Sequence, residues 1–260
     1  MAANDIAAKW DAFCDTLKAA GQELTQDHVP NDEQSQAEGL RYLSRMARAA
    51  LEWYVEFNDA AFPVLYQPAH ETIKLGADNP DNVYQKAVID GHFDYRLTGR
   101  RGSIDYISFA TSKGSYAENF KQIETGFLDS NTLDIDADGN FEIILSAHTQ
   151  SGNWLPMDTE SESLLIRQTF LDRSIEVPAD LQIQRLDPSA TPEPLSSEKI
   201  TANFDKAMAF YRNTIGLFSQ WSKEIRNNPN RLLLWDQAFC QAVGGDPNII
   251  YYHGHFRLNT

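Results

Sequence analysis

The stretch Gly91–Ser112, "GHFDYRLTGRRGSIDYISFATS", constrains the fold more than any other part of this chain. Phe93, Tyr95 and Leu97 alternate with Asp94, Arg96 and Thr98. A period of two puts the apolar side chains on one face of a strand and the polar ones on the other. Further strand patterns follow at "FEIILSAH", "SLLIRQTFL" and "LQIQRL", separated by turn residues and by no helical period. Strands in succession without intervening helices argue for an antiparallel sandwich or barrel rather than a doubly wound sheet. Gly99 to Gly102 predict a four-residue hairpin connection, with "IDYISFAT" as the return strand.

Helical periods flank this region. Ile6, Trp10, Phe13, Leu17 and Ala20 recur every three or four positions from Asp5 to about Leu24. A second helix opens at Pro30, Asn31 and Asp32, carries Leu40, Leu43, Ala47, Leu51 and Tyr54 on one stripe, and ends before Pro63. Its Arg41, Arg45 and Arg48 form a solvated face. The proline-rich "DPSATPEPLSS" marks the exit from the strands. After it, Ser197 is the expected cap of a long helix with Ile200, Phe204, Met208, Tyr211, Ile215, Phe218, Trp221 and Ile225 as its core stripe. A short helix, "WDQAFCQAV", ends at Gly244 and Gly245, and "NIIYYHGHFRL" reads as a last strand. The class expected is α+β: a helical segment over residues 1–75, a β core over 76–190, and helices with a final strand over 191–260, together one structural unit.

Charge narrows the partners. Lys and Arg number 22 against 37 Asp and Glu, a net charge of −15. A field of that sign repels phosphate backbones and anionic headgroups, so neither nucleic acid nor a membrane surface is expected as a partner. No apolar run has bilayer-spanning length. The N-terminus carries acids early and has no apolar h-region, so a cytoplasmic protein with Cys14 and Cys240 reduced is expected.

Three stretches invite chemistry. In "DIDADGNFEIIL", Asp134, Asp136, Asp138 and Gly139 match the opening of a calcium loop, but Leu145 stands where a bidentate Glu is needed. A hairpin turn with Asp138-Gly139 supplying positive φ is the better reading. His253 and His255 share one face of the last strand, with His148 the third ligand that a metal would require. Nothing in the sequence brings it close, so no metal and no cofactor are expected. "GADNPDNVY" is a structured polar turn, with Asn82 as a candidate for a pocket mouth. Arg100 and Arg101 on "TGRRGS" could grip a carboxylate. No nucleophile elbow, Walker loop or dinucleotide fingerprint occurs.

"GADNPDNVYQKAVIDGHFDYRLTGRRGSIDYISF", "GNWLPM", "IRQTFLD" and "GGDPNIIYYHGHF" together resemble bacterial proteins carrying the domain of unknown function 1214 (DUF 1214). The similarity runs over nearly the whole chain. Its hallmark is an Asn-Trp-Leu element followed by a strand with an Arg, here Asn153, Trp154, Leu155 and Arg167. The resemblance implies a β-sandwich of jelly-roll type with helices packed around it, and no settled activity. Similar proteins continue into a second β-rich part, so a chain that stops at "RLNT" reads as a short or truncated member.

The loop from His148 to Met157 is expected at one end of the sandwich. There Trp154 either folds over the core as a lid or, with Asn153, forms a wall against a ligand. Two functions follow. The first is a binding module for a small, largely apolar molecule, with Asn153, Trp154, Asn82 and Arg101 at the ligand. The second is a metal-independent lyase, isomerase or hydrolase of secondary metabolism or xenobiotic breakdown, drawing on His148, His253, Tyr252, Tyr84 and Arg167. The last strand, apolar on both faces, is expected either to join its own sandwich or to pair across a homodimer.

Overall fold

The computed structural model describes residues 3–118, 121–187 and 191–258. The chain forms two compact units, one from Met1–Val55, Ser115–Ile123 and Ser196–Thr260, the other from Glu56–Gly114 and Glu124–Leu195. The class is α+β, with helices flanking several antiparallel pairings.

The first unit is helical. Helix α1 spans Ala3–Ala20 and α2 spans Glu33–Leu51, where Asp32 caps the end by accepting from the Ser35 N–H. Helix α3, Ser197–Arg226, is capped by Ser196, one residue earlier than the spacing suggests. Of its expected stripe Tyr211 and Ile215 are buried and Phe204, Phe218 and Trp221 half-buried, while Phe210, outside that stripe, is fully buried. Phe204 packs on Trp10 and Phe13, Phe210 on Trp53 and Tyr54, and Trp221 on Trp235 and Phe239. Burial pushes the Tyr211 hydroxyl up to about 12.

Among its described residues the second unit holds eight strands: β1 (Asn82–Val88), β2 (Tyr95–Arg100), β3 (Tyr106–Lys113), β4 (Ile123–Asp129, its first residue grouped with the helices), β5 (Asn140–Ser146), β6 (Trp154–Pro156), β7 (Ser163–Thr169) and β8 (Asp180–Arg185). They form two four-stranded sheets, ordered β1-β7-β3-β4 and β6-β5-β2-β8. Alternation drives both. Tyr95, Leu97, Ile143, Leu145 and Leu155 from one sheet, and Ile107, Phe109, Leu164 and Ile166 from the other, are buried in a single apolar cluster. Full burial contributes ~1.5–3 kcal/mol for each large apolar side chain.

Two pairings differ from the sequence reading. β2 and β3 are not a hairpin: β2 pairs with β5 and β8, whereas β3 pairs with β7. Residues 101–105 therefore carry the chain from one sheet to the other. Gly102 makes this possible, because a Cβ there would collide with the Val177 and Pro178 carbonyls. β6 runs parallel to β5, with Ile144 opposite Trp154 and Leu145 opposite Leu155. Only Ala147–Asn153 connects them, far less than a crossover normally needs.

That short return explains the tryptophan. Trp154 begins a strand instead of sitting on a loop, and its indole N–H donates to the Ser146 carbonyl at 3.0 Å, clamping the two ends of the connection together. Asn153 pins the same return. Its Nδ2 donates to the Asp134 and Glu142 carbonyls, and its Oδ1 accepts from the Asp134 N–H. Leu155 is the core residue of the trio. Trp154, its sequence neighbour, faces the opposite side of the sheet and is not a lid on this core.

The final strand, β10 (Tyr252–His255), belongs to the helical unit. It pairs antiparallel with β9 (Arg231–Leu234), a strand not recognised in the sequence, and joins neither four-stranded sheet. A short α4, Gln237–Ala242, lies between them, capped by Asp236.

Candidate functional site

Alternation that buries one face of β2, β5 and β8 leaves the other face polar. Across it run the rows Gln182–Thr98–Glu142, Asp180–Arg100–Asn140 and Gln184–Arg96–Ile144–Trp154, each made of directly opposed residues. Two adjoining depressions lie on this face, each of about 480 Å³. One is lined by Thr98, Arg100, Asn140, Glu142, Asp180 and Gln182, the other by Asp134, Asp136, Ile144, Ser151 and Asn153 among others. Both fall within the ~300–1,000 Å³ of small-molecule sites.

The depressions differ in how much of their chemistry is already used. Asp136 accepts from the Asp138 and Asn140 N–H groups and from the Asn140 amide, and these bonds hold its carboxyl below the usual range. Gly139, at φ +85°, completes that turn, but the turn closes no hairpin, because β4 and β5 lie in different sheets. Glu142 is paired with Arg96 at 2.9 Å. By contrast Thr98, Arg100, Asp180 and Gln182 bond no other side chain among the described residues, and all four are exposed. They offer a hydroxyl, a guanidinium, a carboxylate and an amide to solvent.

A second polar grouping lies on the β1-β7-β3-β4 sheet, on the side away from the apolar cluster. Tyr84, Arg167 and Ser108 stand directly opposite one another across three strands, with Asn82 and Lys86 on either side of Tyr84. Arg167 and Ser108 are buried. The Tyr84 hydroxyl accepts from the Asn79 N–H at 3.0 Å and the Asn82 amide at 3.3 Å. Asn82 is itself 7 % exposed, and its Oδ1 has no partner among the described residues. Burial holds the Lys86 ammonium below the ordinary lysine range, with Glu162 pulling the other way.

No family model matches the chain, and no curated protein does. A crystal structure of an uncharacterized protein from Burkholderia cenocepacia matches at 49% sequence identity with a TM-score of 0.93, over 96% of this chain and 70% of that one. The chain belongs to that protein's family. A protein from Vibrio parahaemolyticus matches at 14% identity and a TM-score of 0.33, over 62% of this chain and 47% of that one.

In this chain the residues that the sequence singles out fall into separate groups. Asn153 lines a depression, but its amide is spent on backbone; Trp154 stands at the end of the same face. His148 is exposed on the connection just before them, where its N–H donates to Ser146 Oγ. Arg101 turns back on its own loop, donating to the Asp105 carbonyl, and burial lowers its pKa against the opposing pull of Asp105. Asn82, Tyr84 and Arg167 do come together, on the other sheet. His253 and Tyr252 belong to the helical unit, with His253 against Trp235 at 4.8 Å. Among the described residues no three His, Cys, Asp or Glu side chains form a metal-binding group, and no helix is long and apolar enough to cross a membrane. The sequence reading missed Thr98, Asp180 and Gln182, and placed Arg100 on a hairpin tip with Arg101. The polar half of each alternating strand was the signal, but which strands lie side by side was not legible.

Proposed function

We propose that this protein is a binding module for a small, hydroxyl-rich molecule, held on the polar face of the β6-β5-β2-β8 sheet. One observation carries the reading: a depression of about 480 Å³ whose exposed Thr98, Arg100, Asp180 and Gln182 side chains bond no other side chain among the described residues. Hydroxyl groups both donate and accept, and this mixture of donors and acceptors suits them. Ile144 and Trp154 give the face one apolar end, fit for the C–H side of a sugar ring. Such a lining favours a polar ligand over the apolar one expected from sequence. The two sheets are read as a sandwich, and the placement of β1, β2 and β3 in alternate sheets supports a jelly-roll winding. The family is read as the one carrying DUF 1214, on the residues that bear the resemblance.

The test is an amide NMR titration with glucose, N-acetylglucosamine and myo-inositol, each at tens of millimolar. Shifts are expected to concentrate at residues 98–100, 140–142 and 180–182, and to vanish in Thr98→Ala/Gln182→Ala. If none of the three moves those resonances, the reading fails. The row Tyr84–Arg167–Ser108, with its unpartnered Asn82 Oδ1, favours a second reading: a metal-independent enzyme acting on the other sheet. Under that reading, shifts would instead cluster at residues 82–86, 106–110 and 165–169.

A further inference from the structure

Strand β1 turns Asn82, Tyr84 and Lys86 to the side away from the apolar cluster, each two residues from the next. Same-face neighbours on a strand lie about 7 Å apart, so a molecule of a few heavy atoms can reach all three. Each has a polar group left over. Both lone pairs of the Tyr84 oxygen are engaged, by the Asn79 N–H and the Asn82 amide, so its own O–H is left to donate elsewhere. The Asn82 Oδ1 is buried and accepts no hydrogen bond among the described residues. The Lys86 Nζ makes none either. Directly opposite Lys86 stands Leu165, and beyond it Ala110, an apolar floor under the lysine. Burial there holds the ammonium below the ordinary lysine range, with the Glu162 carboxylate pulling the other way. An amine that sheds its proton more easily than an exposed one is a better nucleophile at neutral pH. Tyr84 and Lys86 are half-buried, so both keep some contact with solvent.

We infer that Lys86 condenses with the carbonyl group of a small hydroxyaldehyde or hydroxyketone, with Tyr84 as the acid at the carbonyl oxygen and Asn82 as acceptor for the hydroxyl. This deepens the second reading given above and rests on it. The lone pair of the neutral amine forms a C–N bond to the carbonyl carbon. The C=O π pair becomes an oxyanion, which takes the Tyr84 proton, and a proton from the new ammonium restores Tyr84. The carbinolamine then expels its hydroxyl, which leaves as water with the remaining nitrogen proton, and an imine results. No electrons are gained or lost. The Glu162 carboxylate attracts a protonated imine as it attracts the ammonium. The oxygen beside the carbonyl selects the class: Asn82 Oδ1 can only accept, so the molecule it meets must bring a donor.

Reductive trapping on the full chain tests this. With glycolaldehyde and sodium cyanoborohydride at neutral pH, the imine is reduced where it forms and a hydroxyethyl group stays on the nitrogen. Peptide mass spectrometry is expected to find that group on Lys86 before it appears on the exposed Lys206 and Lys223, because an exposed lysine is almost fully protonated at that pH. In Tyr84→Phe the lead of Lys86 should be lost while circular dichroism stays that of wild type. Acetaldehyde, which lacks the hydroxyl, should give a smaller lead than glycolaldehyde, and Asn82→Ala should make the two probes equal. Trapping at Lys86 no faster than at Lys206 and Lys223 overturns the inference. So does a lead that Tyr84→Phe leaves intact, or equal trapping of the two probes in wild type. Should glycolaldehyde shift the amide resonances of residues 82–86 without being trapped on Lys86, the inference fails while the enzyme reading on this sheet stands.

Discussion

At the scale of single residues, Trp154 and Lys86 show how a polar atom's surroundings decide its contribution. The Trp154 indole clamps the connection from β5 to β6 through the Ser146 carbonyl, which also accepts from the Met157 N–H. Trp154→Phe therefore orphans no acceptor, and is expected to cost about 1 kcal/mol, the net worth of one hydrogen bond. A urea midpoint identical to wild type would show that the clamp adds nothing. Lys86 works in the opposite direction. Its pKa is lowered in the folded state, so the folded chain holds fewer protons than the unfolded chain between that lowered value and the ordinary 10.5. Stability from this group therefore rises with pH through that window, and below it the full penalty of a buried ammonium is present. Lys86→Met is expected to raise the melting temperature at pH 7. The gain should shrink as pH approaches 10.5. A gain that does not change with pH would mean that added apolar surface, not the lost charge, was responsible.

At the scale of elements, the close approach of β4 and β6 matters most for the eight-stranded unit. Gly126 on β4 lies so near the Pro156 carbonyl that a Cβ would overlap it, and Thr111 on β3 donates to that same carbonyl at 2.6 Å. Gly126→Ala is expected to cost about 1–3 kcal/mol, because backbone on both sides must shift. Gly216 in α3 is the contrast. Nothing lies within 4 Å of its Cβ position, and Gly216→Ala should stabilise by about 0.5–1 kcal/mol. Equal effects at the two glycines, measured by chemical denaturation, would contradict this account. Elements of this kind were legible in the sequence to different depths. The three long helices and strands β2, β3, β5, β7 and β8 declare themselves by period. β4 and β9 do not. Ile123–Asp129 is not buried on an alternating face, and Arg231–Leu234 has three leucines in a row. The pairing of strands was not legible either, because register depends on which faces meet, and residues distant in the chain decide that.

At the scale of the whole molecule, 37 acids against 22 bases impose a self-repulsion that no single pair relieves. The melting temperature is expected to rise by a few degrees between 20 mM and 0.5 M sodium chloride, and a fall would mean that local ion pairs such as Lys113 with Asp158 and Glu160 outweigh the net charge. The division of neighbouring strands between two sheets has a further consequence, for biosynthesis. β1 waits for β7, and β2 waits for β8, each roughly eighty residues later. At about 5–20 residues per second, a ribosome takes on the order of ten seconds to deliver those partners. During that interval the emerging Val83, Tyr95, Leu97, Ile107 and Phe109 have no complete sheet to enter, and long-range pairing of this sort is slow in any case. Slower translation lengthens the exposure, and holdase chaperones shorten its effect. The yield of soluble protein from a cell should therefore respond to growth temperature and chaperone supply more strongly than the stability of the finished fold would suggest.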